Sequence, residues 1–123
     1  MSPRVSIVDD DESVREAIKS LLRSVGVTAD SFASAKEFLK SGHQDDTSCL
    51  ILDVRMPEMG GLELQQRLAS AGRRIPVIFI TAHASDEEAR RRALQSGAID
   101  FLLKPFSEDA LLNDVYAALS REW

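Results

Sequence analysis

Acidic residues collect at the ends of apolar runs in this chain, and their types suggest chemistry before any fold is considered. Val8 is followed by Asp9-Asp10-Asp11-Glu12, Leu52 by Asp53, Ile80 by Thr81-Ala82, and Leu103 by Lys104-Pro105-Phe106. Brought to one rim, these would form a carboxylate cluster with one ammonium and one hydroxyl. Two carboxylates ~4 Å apart repel by about 4 kcal/mol at an effective dielectric near 20. The cluster must therefore protonate or take a cation. Lys104 supplies one positive charge, and a hard divalent ion with oxygen ligands, Mg²⁺ or Mn²⁺, would balance the rest. A carboxylate can also be a nucleophile and carry a phosphoryl group. Metal, Lys104 and Thr81 would then neutralise the phosphoryl oxygens. Each residue also has an ordinary use. An Asp after a strand caps a helix, Asp11 and Glu12 suit a helix first turn, Thr81 suits a strand end, and Lys104 suits a solvated loop.

Elements must exist to position these groups. Five apolar runs stand out, Val5–Val8, Val27–Phe32, Cys49–Leu52, Val77–Ile80 and Ile99–Leu103. Four read as buried strands of a parallel sheet. The second alternates and carries Asp30, which marks an edge. Val14, Ala17, Ile18, Leu21, Leu22 and Val25 follow helical spacing. Gly26, Gly42, Gly72 and Gly97 stand where helices end. Ser34 to Glu37 and Ser85 to Glu88 read as capping boxes, and Ser107 caps a fifth helix running towards Trp123. Strand–helix alternation repeated five times predicts an α/β fold, a parallel sheet with helices on both faces. In such sheets ligands bind beyond the carboxyl ends of the strands, where the acidic residues stand.

Bulk properties narrow the classes. A chain of 123 residues, 44% hydrophobic and 28% charged, is expected to be one globular domain spanning 1–123. Cys49 is the sole cysteine, so no internal disulfide is expected and a cytoplasmic location fits. No apolar stretch reaches membrane-spanning length, and Met1-Ser2-Pro3-Arg4 leaves no room for a signal peptide before the first run. A net charge of −5 disfavours direct nucleic-acid binding by this chain.

The motifs Val8-Asp9-Asp10, Leu52-Asp53-Val54-Arg55-Met56-Pro57-Glu58-Met59-Gly60-Gly61, Ile80-Thr81-Ala82 and Gly97-Ala98-Ile99-Asp100-Phe101-Leu102-Leu103-Lys104-Pro105-Phe106 together resemble the receiver domains of bacterial two-component response regulators. Leu-Asp-Val-Arg-Met-Pro and Gly-Ala-Ile-Asp-Phe resemble the nitrogen-fixation type of transcription regulator. The resemblance implies a doubly wound, flavodoxin-like (α/β)5 three-layer sandwich with strand order 2-1-3-4-5. It implies Asp53 as phosphoacceptor, and Mg²⁺ (or Mn²⁺) held by Asp53, Asp9, Asp10 and the Arg55 backbone carbonyl, with Asp10 preferred to Asp9 as direct ligand. It implies Thr81 and Lys104 as phosphate-sensing groups. Thr81 and Phe101 would form the switch, with Phe101 filling space that Thr81 vacates. A sensor histidine kinase or phosphotransfer protein is the implied donor. The implied output is transcription through a DNA-binding domain that this chain lacks, and either a stand-alone receiver or a piece of a longer regulator fits. On this reading the chain is not an enzyme beyond its own phosphorylation and slow dephosphorylation.

Around the fourth helix, Arg90, Arg91 and Arg92 lie beside Glu87 and Glu88, with Ala89, Ala93 and Leu94 expected inward. Those arginines read as a solvated face or as a phosphorylation-dependent homodimer surface. Arg55 and His83, two residues beyond site residues, would flank an attacking water or be exposed loop side chains. Three alternatives compete. A haloacid-dehalogenase-type phosphatase would use Asp9 as nucleophile and Asp11 as acid/base but leaves Asp53 idle. A flavodoxin-like FMN protein would not place an Asp-Asp-Asp-Glu loop against a phosphate. A degenerate receiver would not keep the full residue set.

Overall fold

The computed structural model describes residues 3–83 and 86–120. Five strands, β1 (Arg4–Val8), β2 (Thr28–Phe32), β3 (Cys49–Asp53), β4 (Val77–Thr81) and β5 (Asp100–Leu103), alternate with five helices. The helices are α1 (Glu12–Ser24), α2 (Ala35–Ser41), α3 (Gly61–Ser70), α4 (Glu87–Gln95) and α5 (Glu108–Ser120), with a 3-10 turn at His43–Asp45 after α2. All strand pairings are parallel, in the order β2-β1-β3-β4-β5.

The period of two along each strand divides the core into halves. Leu50, Leu52, Val77 and Phe79 pack with Phe38 of α2, Leu64 and Leu68 of α3, and Ala89 and Ala93 of α4. Their neighbours Cys49, Ile51, Ile78 and Ile80 face Ile18 and Leu22 of α1 and Leu111, Val115 and Ala118 of α5. β3 and β4 are buried on both faces, which is why they read as unbroken apolar runs. β2 is an edge as its alternation predicts, and its Asp30 pairs with Arg4 of β1. β5 corrects the expectation of four buried strands: it closes the other edge, and Leu103 is 46% exposed.

Local chemistry explains the boundaries. Asp11 caps α1 by accepting the Ser13 N–H at 2.9 Å. Ser34 caps α2 through the Glu37 N–H at 3.1 Å, and Ser107 caps α5 through the Ala110 N–H at 3.2 Å. Ser85 and Trp123 lie outside the described residues, so neither the capping box proposed for Ser85 nor the reach to Trp123 is described. Asp86 occupies the N-cap position of α4 without a side-chain cap bond. All four helix-ending glycines have positive φ, from 77° to 94°. Leu94 contradicts its expected inward orientation. It is 40% exposed, because Ala89 and Ala93 already form the narrow buried stripe of this nine-residue helix. Cys49 is fully buried, as its place in an apolar run predicts, and Met56 and Met59 pack against the core. Among the described residues no helix is long and apolar enough to cross a membrane.

Two glycines hold the loop after β3 against the strand. A Cβ on Gly61 would lie 2.5 Å from the Asp53 carbonyl oxygen, and one on Gly60 would lie 2.6 Å from that of Val54. Both obstacles are backbone, so neither can rotate away. Gly61→Ala is therefore expected to destabilise the fold by about 1–3 kcal/mol, read as a lower urea midpoint; an unchanged midpoint would refute the close-packing account.

A carboxyl pair joins β5 to α5. One Asp114 oxygen is sealed from solvent without a hydrogen-bond donor. Burial, and then a hydrogen bond to Asp100 and its charge, push the Asp114 carboxyl up to about 7. Two facing carboxyls need a proton between them. The folded chain holds that proton up to about pH 7, whereas the unfolded chain releases it near 3.8, so stability falls as pH rises between these values. Asp114→Asn should raise the melting temperature at pH 8 and raise it less at pH 5. An equal gain at both pH values would rule out this linkage.

Candidate functional site

The site follows from sheet register. Val8 pairs with Leu52, so the next step places Asp9 beside Asp53. Asp9 continues the side-chain phase of Val5 and Ile7, and Asp53 that of Cys49 and Ile51. Both phases belong to the same face of the sheet, so the two carboxylates emerge together. Asp53 itself pairs with Ile80, and Thr81 with Leu103, so β3, β4 and β5 all end at nearly one level.

Asp9, Asp10 and Asp53 offer carboxylate oxygens that lie within 4.8 Å of one another. Asp9 is fully buried and Asp53 is 5% exposed, whereas Asp10 faces solvent. The Asp9 carboxylate accepts the Asp11 N–H at 2.8 Å through Oδ1. Arg15 of α1 donates to the Asp9 backbone carbonyl at 2.7 Å, which ties the first helix to this turn. The Lys104 ammonium reaches across from the end of β5, 2.8 Å from Asp9 Oδ2 and 3.6 Å from Asp53 Oδ2. Asp9 Oδ2 still has no aligned hydrogen-bond donor, so Lys104 is its counter-charge rather than a well-directed bond.

Burial pushes the Asp53 carboxyl up to about 7, and the charge of Asp9 adds to the effect. Lys104, the Arg55 N–H and, with opposite sign, Asp10 act more weakly. Burial alone would lower the Lys104 ammonium, but its close contact with Asp9 and the charges of Asp53 and Asp9 outweigh it, and its pKa is raised. One ammonium against three carboxylates leaves uncompensated negative charge on hard oxygen donors. With one donor set open through Asp10 and a buried oxygen still lacking a donor, the cluster fits a divalent cation such as Mg²⁺ or Mn²⁺.

The other expected residues take separate places. Thr81 ends β4, is 1% exposed, and its hydroxyl accepts the His83 N–H at 3.1 Å. Phe101 lies half-buried in β5 against Phe79, ring centroids 6.4 Å apart, away from the carboxylates. Arg55 meets the cluster through its backbone N–H on Asp53. Its guanidinium turns instead to Asp86, Nε at 3.0 Å and Nη2 at 2.9 Å from Oδ2. The His83 side chain is exposed. His43, a polar-loop residue without an assigned role, lies 3.1 Å from Asp46.

Sequence reasoning missed three features here: the Arg15 tie, the Arg55–Asp86 pair, and the glycine contacts behind Asp53. The Gly60-Gly61 dipeptide was a legible signal for the last. The two arginine contacts join residues six and 31 apart, beyond what spacing alone encodes.

Residues 5–116 match the family model described as the response regulator receiver domain. The chain is 47% identical over 122 residues to the response regulator protein TodT of Pseudomonas putida, covering 97% of this chain and 53% of that protein. It is 41% identical over 117 residues to the transcriptional regulatory protein FixJ of Azorhizobium caulinodans, covering 95% and 55% respectively. The solved structure of the response regulator StyR superposes with a TM-score of 0.90 at 45% identity, covering 98% of this chain and 60% of that one. This chain thus spans about half the length of the curated relatives it matches. From residue 5 to residue 116, and in strand order throughout, the chain belongs to the family of response regulator receiver domains of two-component systems.

Proposed function

We propose that this domain accepts a phosphoryl group on Asp53 and so switches the surface formed by α4, β5 and α5. The observation that carries the reading is the Asp53 carboxylate, held within 4.8 Å of Asp9 and Asp10 and 3.6 Å from Lys104. In the transfer, an Asp53 oxygen forms a bond to phosphorus as the donor's bond to phosphorus breaks. With a sensor histidine kinase or phosphotransfer protein as donor, the leaving group is an imidazole nitrogen. Asp10, Asp53 and Asp9, with the Arg55 carbonyl, would hold Mg²⁺ or Mn²⁺, which supplies positive charge to the phosphoryl oxygens. Lys104 stands beside Asp53 and would bind one of those oxygens, and Thr81, one residue beyond the rung opposite Asp53, would turn its hydroxyl to another. Phe101 carries no hydroxyl, so its part in the switch would be burial alone.

The phosphatase alternative loses support here. Asp9 has no exposed surface for attack, and Asp11 is engaged in capping α1. Incubation of the chain with acetyl phosphate and Mg²⁺, followed by intact-mass measurement, should give one phosphoryl adduct. Chelation of the metal or Asp53→Asn should abolish it. An adduct that persists in Asp53→Asn, or maps to Asp9, contradicts the assignment.

In the full protein the output would be transcription through a DNA-binding domain, in the cytoplasm, with no nucleic-acid contact by this domain itself. Leu94 and Leu103 leave apolar surface on α4 and β5, and Arg91 pairs with Glu88 beside them. These features support a phosphorylation-dependent homodimer through α4 and β5. Light scattering of the phosphorylated form should give twice the monomer mass, and Arg91→Glu should shift it to the monomer. An unaffected dimer would remove α4 from the interface.

A further inference from the structure

The Arg55–Asp86 pair links the loop after β3 to the start of α4, 31 residues apart. Both Nε and Nη2 of Arg55 converge on a single oxygen, Asp86 Oδ2, at 3.0 and 2.9 Å. The Asp86 side chain is only 12% exposed, whereas that of Arg55 is 56% exposed. A carboxylate so far withdrawn from water needs a partner. Two are at hand. One is Arg55. The other is the N-terminus of α4, where Asp86 already stands at the N-cap with its backbone carbonyl accepting the Arg90 N–H at 3.0 Å. Aspartate at that position ordinarily accepts the N–H of the second or third helical residue, here Glu88 or Ala89. In this structure it does not: the guanidinium holds the Asp86 side chain by Oδ2, and the residue's backbone, at φ −87° and ψ 56°, departs from the extended form of the working caps Asp11 and Ser34.

Arg55 likewise has two possible partners. It lies two residues after Asp53, and its own N–H bonds the Asp53 carboxylate. A phosphoryl group on Asp53 would add about two negative charges and three strong acceptor oxygens next to it. A guanidinium favours such an acceptor over a single carboxylate oxygen. We propose that Arg55 and Asp86 form an exchangeable latch: in the resting domain they hold each other, and phosphorylation draws Arg55 to the phosphoryl oxygens and frees Asp86 to cap α4. The exchange leaves every charge partnered in both states. It ties the start of α4 directly to the occupancy of Asp53, without passing through Thr81 or Phe101. This proposal rests on Asp53 being the phosphoacceptor.

A ligand binds more weakly when the competent state is only partly populated, so breaking the latch from the Asp86 side should tighten binding of a phosphoryl mimic. Beryllium trifluoride, titrated with Mg²⁺ into the purified chain, serves as probe, followed through the backbone amide resonances of Glu88 and Ala89 and the Nε–H resonance of Arg55. Asp86→Asn keeps a capping side chain but releases Arg55, and should bind the probe severalfold more tightly. Its Glu88 and Ala89 resonances, before any probe is added, should lie near those of the saturated wild type. Arg55→Ala should weaken binding on the order of tenfold, as for loss of a charge-assisted hydrogen bond. The double variant should match Arg55→Ala. Unchanged affinity in Asp86→Asn, additive effects in the double variant, or an Arg55 Nε–H resonance that ignores saturation would each overturn the latch while leaving Asp53 as acceptor. A wild type that neither binds the probe nor gains a phosphoryl adduct would overturn the acceptor assignment and the latch with it.

Discussion

Crowded negative charge is the constraint around which this domain is arranged. Three carboxylates whose oxygens lie within 4.8 Å repel pairwise by about 3–4 kcal/mol at an effective dielectric near 20. Domains of this size are stable by only about 5–15 kcal/mol in total. An unrelieved cluster would therefore consume a large part of that margin. The structure relieves it in graded ways. Lys104 stands between Asp9 and Asp53, the Asp11 N–H bonds Asp9, and the Arg55 N–H bonds Asp53. The remaining strain appears in the Asp53 carboxyl, which holds its proton up to about pH 7. A proton and a divalent cation are two ways of discharging one field, and only the second leaves Asp53 ionised and nucleophilic.

The rest of the fold keeps that crowding in place. Parallel register aligns Asp9 with Asp53, and the two-residue period points them the same way. Helices α1 and α5 seal one face of the sheet, so the strands cannot twist apart to separate the charges. Behind Asp53, Gly60 and Gly61 let the following loop lie directly on the strand, with the Gly61 N–H bonded to the Val54 carbonyl at 3.0 Å. A side chain on Gly61 would displace the backbone that carries Asp53 itself. The apolar core is therefore also the device that holds three like charges together.

Most of this architecture was legible because the relevant signals are local. Continuous Val and Ile runs marked β1, β3 and β4, and positive-φ glycines marked the ends of four helices. Asp9, Asp53, Thr81 and Lys104 were legible as candidates for the same reason, since each directly follows an apolar run. What stayed hidden depends on order and reach. β5 reads from its own four residues as a buried strand, and only the strand order implied by the family resemblance put it at the sheet edge. Leu94 fits the helical spacing of an inward face, yet α4 is too short to bury a third residue beside Ala89 and Ala93. The Asp100–Asp114 contact joins a strand to a helix, and neither residue alone differs from an ordinary surface aspartate.

Arginine placement shows the same division between what charge patterns reveal and what they cannot. Arg90, Arg91 and Arg92 form a conspicuous run, yet the one ion pair described there is the local Arg91–Glu88 bridge on an exposed face, a kind of contact worth less than about 1 kcal/mol. Arg55 is isolated in sequence, and its partner is 31 residues away and largely withdrawn from water. Energetic weight follows desolvation and not local density of charge. In the resting domain that pair joins an exposed partner to one only 12% exposed, and α4 has no side-chain cap bond from Asp86. Such a pair, beside a carboxylate that would gain charge by phosphorylation, would join the chemistry of Asp53 to the helix that would report it.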